Sequence, residues 1–124
     1  MEKWKEIFLK DLATIETGKK DANEGNPNGK YRFYTCAKDF SFIDNYVFDK
    51  EAILISGNGA YVGYVHYFKG KFDAYQRTYV LSNFKIDVFF LYHFLKENLK
   101  FRIHREKQDT ATPYITIGTL LKYK

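Results

Sequence analysis

Between residues 52 and 81 the chain reads AILISGNGAYVGYVHYFKGKFDAYQRTYVL, and this stretch restricts the fold more than any other. AILIS (52–56) is a short apolar run of the kind that forms a buried strand. Gly57, Asn58 and Gly59 supply turn chemistry after it. Residues 61–68 and 75–81 are dense in β-branched and aromatic side chains and read as two further strands, with Lys69, Gly70 and Lys71 as the turn between them. Such a succession predicts a β meander at the centre of the chain.

The flanks add helices and loops. Residues 4–9 suggest a short strand, and Asp11 is placed as the N-cap of a brief helix carrying Leu12, Ala13 and Ile15, ended by Gly18. KKDANEGNPNGK (19–30) is polar, rich in Asn and Gly and broken by Pro27, which makes it the longest candidate loop. Residues 31–36 are strand-like and 46–48 more weakly so. Asp87 is expected to cap a helix reaching about Asn98. Ile86 and Leu91 are set as a hydrophobic staple, and Phe90, Leu91, Phe94 and Leu95 recur at helical spacing. After an interruption from Thr110 to Pro113, Tyr114, Ile115, Thr116 and Ile117 alternate as in a terminal strand. The expected fold class is α+β: a mixed, mainly antiparallel β-sheet meander with a short N-terminal helix and one longer helix near 87–98.

With 124 residues and neither internal repeat nor linker, residues 1–124 read as a single domain. Twelve Phe, 11 Tyr and Trp4 reinforce the β assignment and supply flat faces able to stack on bases. Twenty Lys and Arg against 15 Asp and Glu leave a net charge of +5, which favours a polyanionic partner. Cys36 is the only cysteine, so an intramolecular disulfide and a CxxC metal site are excluded and a reducing, cytoplasmic setting is expected. No apolar run approaches the roughly 20 residues that span a bilayer, and residues 1–10 have neither signal-peptide nor anchor character.

Enzymatic readings find little support. Gly57, Gly59 and Gly63 have the spacing GxGxxxG, but YVGYVHYF follows where a phosphate loop needs a helix, so a hairpin is the better reading. Asn26, Pro27, Asn28 and Gly29 approach the Asn-Pro-Pro-aromatic motif of amino-methyltransferases but carry glycine where the aromatic would stack on a flipped base; a plain turn is expected. His66, His93 and His104 are too scattered to make a zinc pattern with Cys36. A Cys/His nucleophilic pair has no supporting motif. Asp39, Asp44, Asp49 and Glu51 lie in a turn-prone stretch and read as solvated charges rather than nuclease metal ligands. Neither cofactor, metal nor catalytic residue is expected.

Basic and amide side chains on loops beside an aromatic-rich sheet form a more coherent pattern. Lys19, Lys20, Lys30 and Arg32 suit phosphate contacts, while Asn58, Gln76, Arg77 and Gln108 carry the donor and acceptor sets that read base edges. Tyr61 lies with Asn58 in the turn after the buried strand and is placed to project toward DNA. An ordinary solvated surface remains the competing reading for each of these residues.

Several segments, in their order, resemble a target-recognition domain of type I restriction-modification specificity subunits. WKEIFLKDLATI (4–15) with Gly18 and Lys19 is similar to the opening of such a domain. Residues 31–39 resemble its next strand and turn, and residues 52–81 are the most telling stretch. FFLYHFLK (89–96) resembles the following helix and TPYITIGTL (112–120) the closing strand. The resemblance implies a non-catalytic, sequence-specific DNA-binding module that reads one half of a bipartite target. It implies as partners double-stranded DNA, the modification subunits that carry out DNA methylation, and the restriction subunit. In the family a long conserved spacer helix follows a recognition domain; the chain stops at Lys124, before it, so an excised domain or a truncated product is expected. The alternative is a protein-interaction or regulatory module of the same fold that does not bind DNA.

Overall fold

A computed structural model describes residues 9–57, 59 and 61–107. Asn58, Gln108, the strand expected over 114–117, and all but the last residue of the strand expected over 4–9 lie outside the described residues. A 3-10 turn (Leu9–Asp11) leads into β1 (Thr14–Thr17), and a second 3-10 turn (Ala22–Glu24) sits in the polar loop. Next come β2 (Tyr31–Tyr34), β3 (Ser41–Ile43), β4 (Phe48–Ser56), β5 (Val65–Ala74), β6 (Thr78–Ser82) and the helix α1 (Val88–Lys107).

The strands form one six-stranded sheet in the order β1-β6-β4-β5-β2-β3, antiparallel except for the parallel pair β2–β5. β4 is central, and its alternation sends side chains to two cores. Ile53 and Ile55 join Val65, Tyr79, Leu81 and the α1 residues Leu91, Leu95 and Leu99 on one face. Ala52 and Leu54 join Tyr34, Phe48, Phe72, Ala74 and Val80 on the other. The mixed, mainly antiparallel α+β architecture expected from the sequence is present.

The sheet is strongly curled, as its connectivity requires. β4 pairs with β5 from Phe48↔Phe72 to Ile55↔Val65, so β5 ends beside the start of β4. β6, however, begins with Thr78 opposite Ser56, at the other end of β4. An extended β4 would separate those ends by about 26 Å, whereas the four steps from Ala74 to Thr78 reach at most about 14 Å. Only a curled ribbon satisfies both. Tyr34 fills its concave side, its ring centroid 5.6 Å from that of His66, 6.2 Å from Phe68 and 6.0 Å from Phe72, all three on β5.

The expected meander is not formed, because β6 pairs with β4 rather than with its chain neighbour β5, and three further expectations are corrected. The brief helix after Asp11 is absent: Asp11 closes a 3-10 turn, and Ile15 lies in β1, paired with Leu81. Four residues lacking a full apolar face gain more from the open edge of β6 than from one helical turn, whose nucleation is costly. Lys69, Gly70 and Lys71 make no turn, because β5 runs through them with Gly70 opposite Lys50. Gly70 has φ 145°, and a glycine inside a strand commonly marks a bend rather than its end. The reversal falls instead at Tyr75–Gln76–Arg77, closed by the Thr78 amide donating to the Tyr75 carbonyl at 2.9 Å. β3, which pairs with β2, was not foreseen, and α1 continues beyond Asn98 to Lys107.

Candidate nucleic-acid interface

The reversal after β5 organises one end of the molecule through backbone hydrogen bonds. Tyr75 donates its amide to the Tyr34 carbonyl at 2.9 Å, Gln76 to Lys20 at 3.0 Å, and Lys20 to Ala74 at 3.4 Å. The Arg77 carbonyl accepts from the Gly57 amide at 2.9 Å and from the Cys36 thiol at 3.3 Å. Gly18 donates to Thr78 at 3.2 Å. Segments 18–21, 35–38 and 75–77 and residue Gly57, distant in sequence, therefore meet around one turn.

Glycine makes two of these approaches possible. A Cβ on Gly57 would overlap the Arg77 carbonyl oxygen, and one on Gly18 would overlap the carbonyl of Ala74. Any side chain at either position would push a loop away from the turn.

Of the residues singled out in the sequence, Lys19, Lys20, Gln76 and Arg77 are gathered here, and Tyr61 lies on the adjoining 57–64 loop. Lys19, Gln76 and Arg77 are exposed, as is Tyr61, whose ring meets Tyr64 edge-on with centroids 5.1 Å apart. Gln76 donates from Nε2 to Asp21 Oδ1 at 2.9 Å. Lys20 Nζ is 2.7 Å from Oδ2 of Asp73, whose side chain is 1% exposed. Asp73, four residues before Arg77 in the chain, is thus engaged by Lys20.

Lys30 and Arg32 stand elsewhere. Lys30 is exposed just before β2, at the end of that strand away from Tyr34. Arg32 lies between two rings, its guanidinium carbon 4.0 Å from the Phe40 centroid and 4.5 Å from that of Phe68, and it donates from Nη1 to the Tyr34 hydroxyl at 3.0 Å. Burial raises the Tyr34 pKa, opposed by that hydrogen bond and by the charge of Arg32. Sequence reading passed over Lys38, exposed two residues beyond Cys36 on a segment of this same end. Its only signal was a basic residue in a turn-prone stretch, because the placement of that segment depends on the sheet.

The remaining chemistry is structural in character. Among the described residues no group of three or more His, Cys, Asp or Glu is arranged to hold a metal ion. Burial lowers the His66 pKa, with Asp39 raising it and Lys96 lowering it further, and the ring packs against Tyr34. The glycines after β4 belong to a hairpin, in which the Ser56 amide donates to Tyr64 at 3.0 Å and the Gly63 amide to Ser56 at 2.9 Å. Asn26 to Gly29 form a turn, the Asn28 amide donating to Asn26 Oδ1 at 3.0 Å and the Gly29 amide to the Asn26 carbonyl at 2.8 Å. No helix among the described residues is long and apolar enough to cross a membrane.

Comparison with known proteins decides the family. The family model described as the type I restriction modification DNA specificity domain matches residues 1–124. The chain belongs to this family. It is 40% identical over 117 residues to the type I restriction enzyme EcoDI specificity subunit of Escherichia coli, covering 94% of this chain and 26% of that protein. The specificity domain thus spans about a quarter of that relative. Its fold is similar to the crystal structure of the S subunit of a type I restriction-modification system from M. genitalium, with a TM-score of 0.75 and 21% identity, covering 94% of this chain and 32% of the other.

Proposed function

We propose that this specificity domain is a sequence-specific DNA-binding module that reads one half of a bipartite target for a type I restriction-modification enzyme. It does no chemistry itself; methylation and cleavage belong to modification and restriction subunits, its protein partners, and the setting is the cytoplasm. One observation carries the reading: segments 18–21 and 35–38 and Gly57 converge on the Tyr75–Arg77 turn, and Lys19, Lys38, Gln76 and Arg77 are exposed on these segments, in a family defined by DNA specificity. Lys19 and Lys38 supply phosphate attraction, and Arg77 and Gln76 are the residues suited to bidentate recognition of guanine and adenine. Tyr61 extends the same end through the hairpin loop.

The test replaces Arg77 and Gln76 separately with alanine in the complete methyltransferase and sequences the methylated sites. Relaxation at one position of one half-site is expected, since a bidentate base contact is worth about 1–3 kcal/mol of discrimination. An unchanged motif with a lowered melting temperature would assign both residues to the scaffold.

A second reading, a protein-contact module without DNA binding, draws on α1. Phe90 and Phe94 are 65% and 38% exposed there with their rings stacked at 6.4 Å, and Phe89, 51% exposed, meets Tyr67 at 4.9 Å. The two readings separate by salt: phosphate contacts release counterions and weaken steeply with ionic strength, whereas an apolar interface does not.

A further inference from the structure

We infer that Lys20 is a positioning residue whose ion pair with Asp73 sets the geometry of the Tyr75–Arg77 turn relative to the polar loop before β2, so that its loss changes which sequence is read rather than how strongly phosphate is attracted. The inference rests on the DNA-recognition reading above and assigns Lys20 a different task from its neighbour Lys19.

Three observations carry it. The Asp73 carboxylate is buried and divides its oxygens, Oδ2 to Lys20 Nζ at 2.7 Å and Oδ1 to the Ala74 amide at 2.8 Å. A buried carboxylate holds its cation firmly, because separation would leave a charge without compensation in a poorly polarisable surrounding. The ammonium of Lys20 is therefore committed to the protein, while Lys19 beside it is exposed. The pair also sits inside a short double attachment. Lys20 donates its amide to Ala74 and accepts from the Gln76 amide, and one residue on, Asp21 accepts from the Gln76 side chain. Asp73 lies in the buried final stretch of β5, between Phe72 and Ala74, so this latch ties the loop to the strand end from which Gln76 and Arg77 project.

The decisive variant is Lys20→Met with Asp73→Asn, which removes the pair without stranding the buried carboxylate and leaves net charge unchanged. In the complete methyltransferase it is compared with Lys20→Arg, Lys19→Gln and Arg77→Ala, reading the methylated motif and the slope of log K against log salt. The double variant is expected to relax or shift the motif at one half-site with the slope unchanged. Lys20→Arg should keep the native motif, and Lys19→Gln should keep it while flattening the slope by about one contact. A double variant with a native motif overturns the inference, as does a native motif in Lys20→Met alone with the slope reduced by one contact. If Lys19→Gln and Arg77→Ala also leave binding and motif unchanged, the DNA-recognition reading fails and takes the latch with it. If those two act and the double variant does not, only the latch falls.

Discussion

Gly57 and Gly18 show how much the recognition end depends on single atoms. Neither has a positive φ, so what each position demands is space: the carbonyls of Arg77 and Ala74 occupy the volume a methyl group would need. Alanine at either site is expected to destabilise the domain by roughly 1–3 kcal/mol, the usual cost of forcing extra volume into a packed position, measured as a lowered urea midpoint at unchanged m-value. Arg32 makes the complementary point. Its guanidinium lies between Phe40 and Phe68 and bonds the Tyr34 hydroxyl, a set of contacts an ammonium cannot reproduce. Arg32→Lys is therefore expected to lower the melting temperature while leaving the salt slope of DNA binding unaltered. As a residue type beside a polar loop, Arg32 had looked like a phosphate contact. The rings that flank it are separate in sequence and meet only when β5 curls around Tyr34.

Among the elements, α1 was the most legible in the sequence. Asp87 caps it as expected, Oδ1 accepting from the Phe89 amide at 2.8 Å and from the Phe90 amide at 3.4 Å. Ile86 and Leu91 belong to the same core cluster. Asp87→Ala is expected to cost about 0.5–2 kcal/mol, and Leu95→Ala, at a fully buried position one turn after Leu91, about 2–5 kcal/mol; denaturant unfolding measures both. Its C-terminal end was misjudged because the apolar repeat fades after Leu99, although the lysines, arginines and glutamate that follow are good helix formers. β5 erred in the opposite direction. Lys-Gly-Lys looked like a hairpin tip, yet within a curled strand a glycine provides the bend, and pairing with β4 continues on either side of it.

For the whole molecule, His66 links stability to pH. Burial holds its imidazole below the usual value, so on acidification the unfolded chain takes up the proton first. The resulting contribution is fully present above the unfolded value of about 6.5 and is lost as pH falls through the lower folded value. The urea midpoint is expected to decline from pH 7 toward pH 5, and His66→Phe should flatten that decline. A histidine in a strand-like segment was visible in the sequence, but its confinement beside Tyr34 was not, because the concave core exists only once β2 lies parallel to the end of β5.

The sequence by itself determined the local and periodic features: the buried β4 run, the strand character of its neighbours, the Asp87 cap, the Asn- and Gly-rich loop, the basic balance and the family to which these segments in this order belong. These follow from backbone preference and from side-chain spacing, which act over a few residues. Only the tertiary structure decided that the chain reverses at Gln76 rather than Gly70, that Ile15 is a strand residue, and that Lys19, Lys38, Gln76 and Arg77 share one end while Lys30 and Arg32 do not. It also committed Lys20 to Asp73. The physical reason is common to all of these: each depends on the curl of one sheet, which is fixed by hydrogen bonds and buried contacts between residues far apart in the chain.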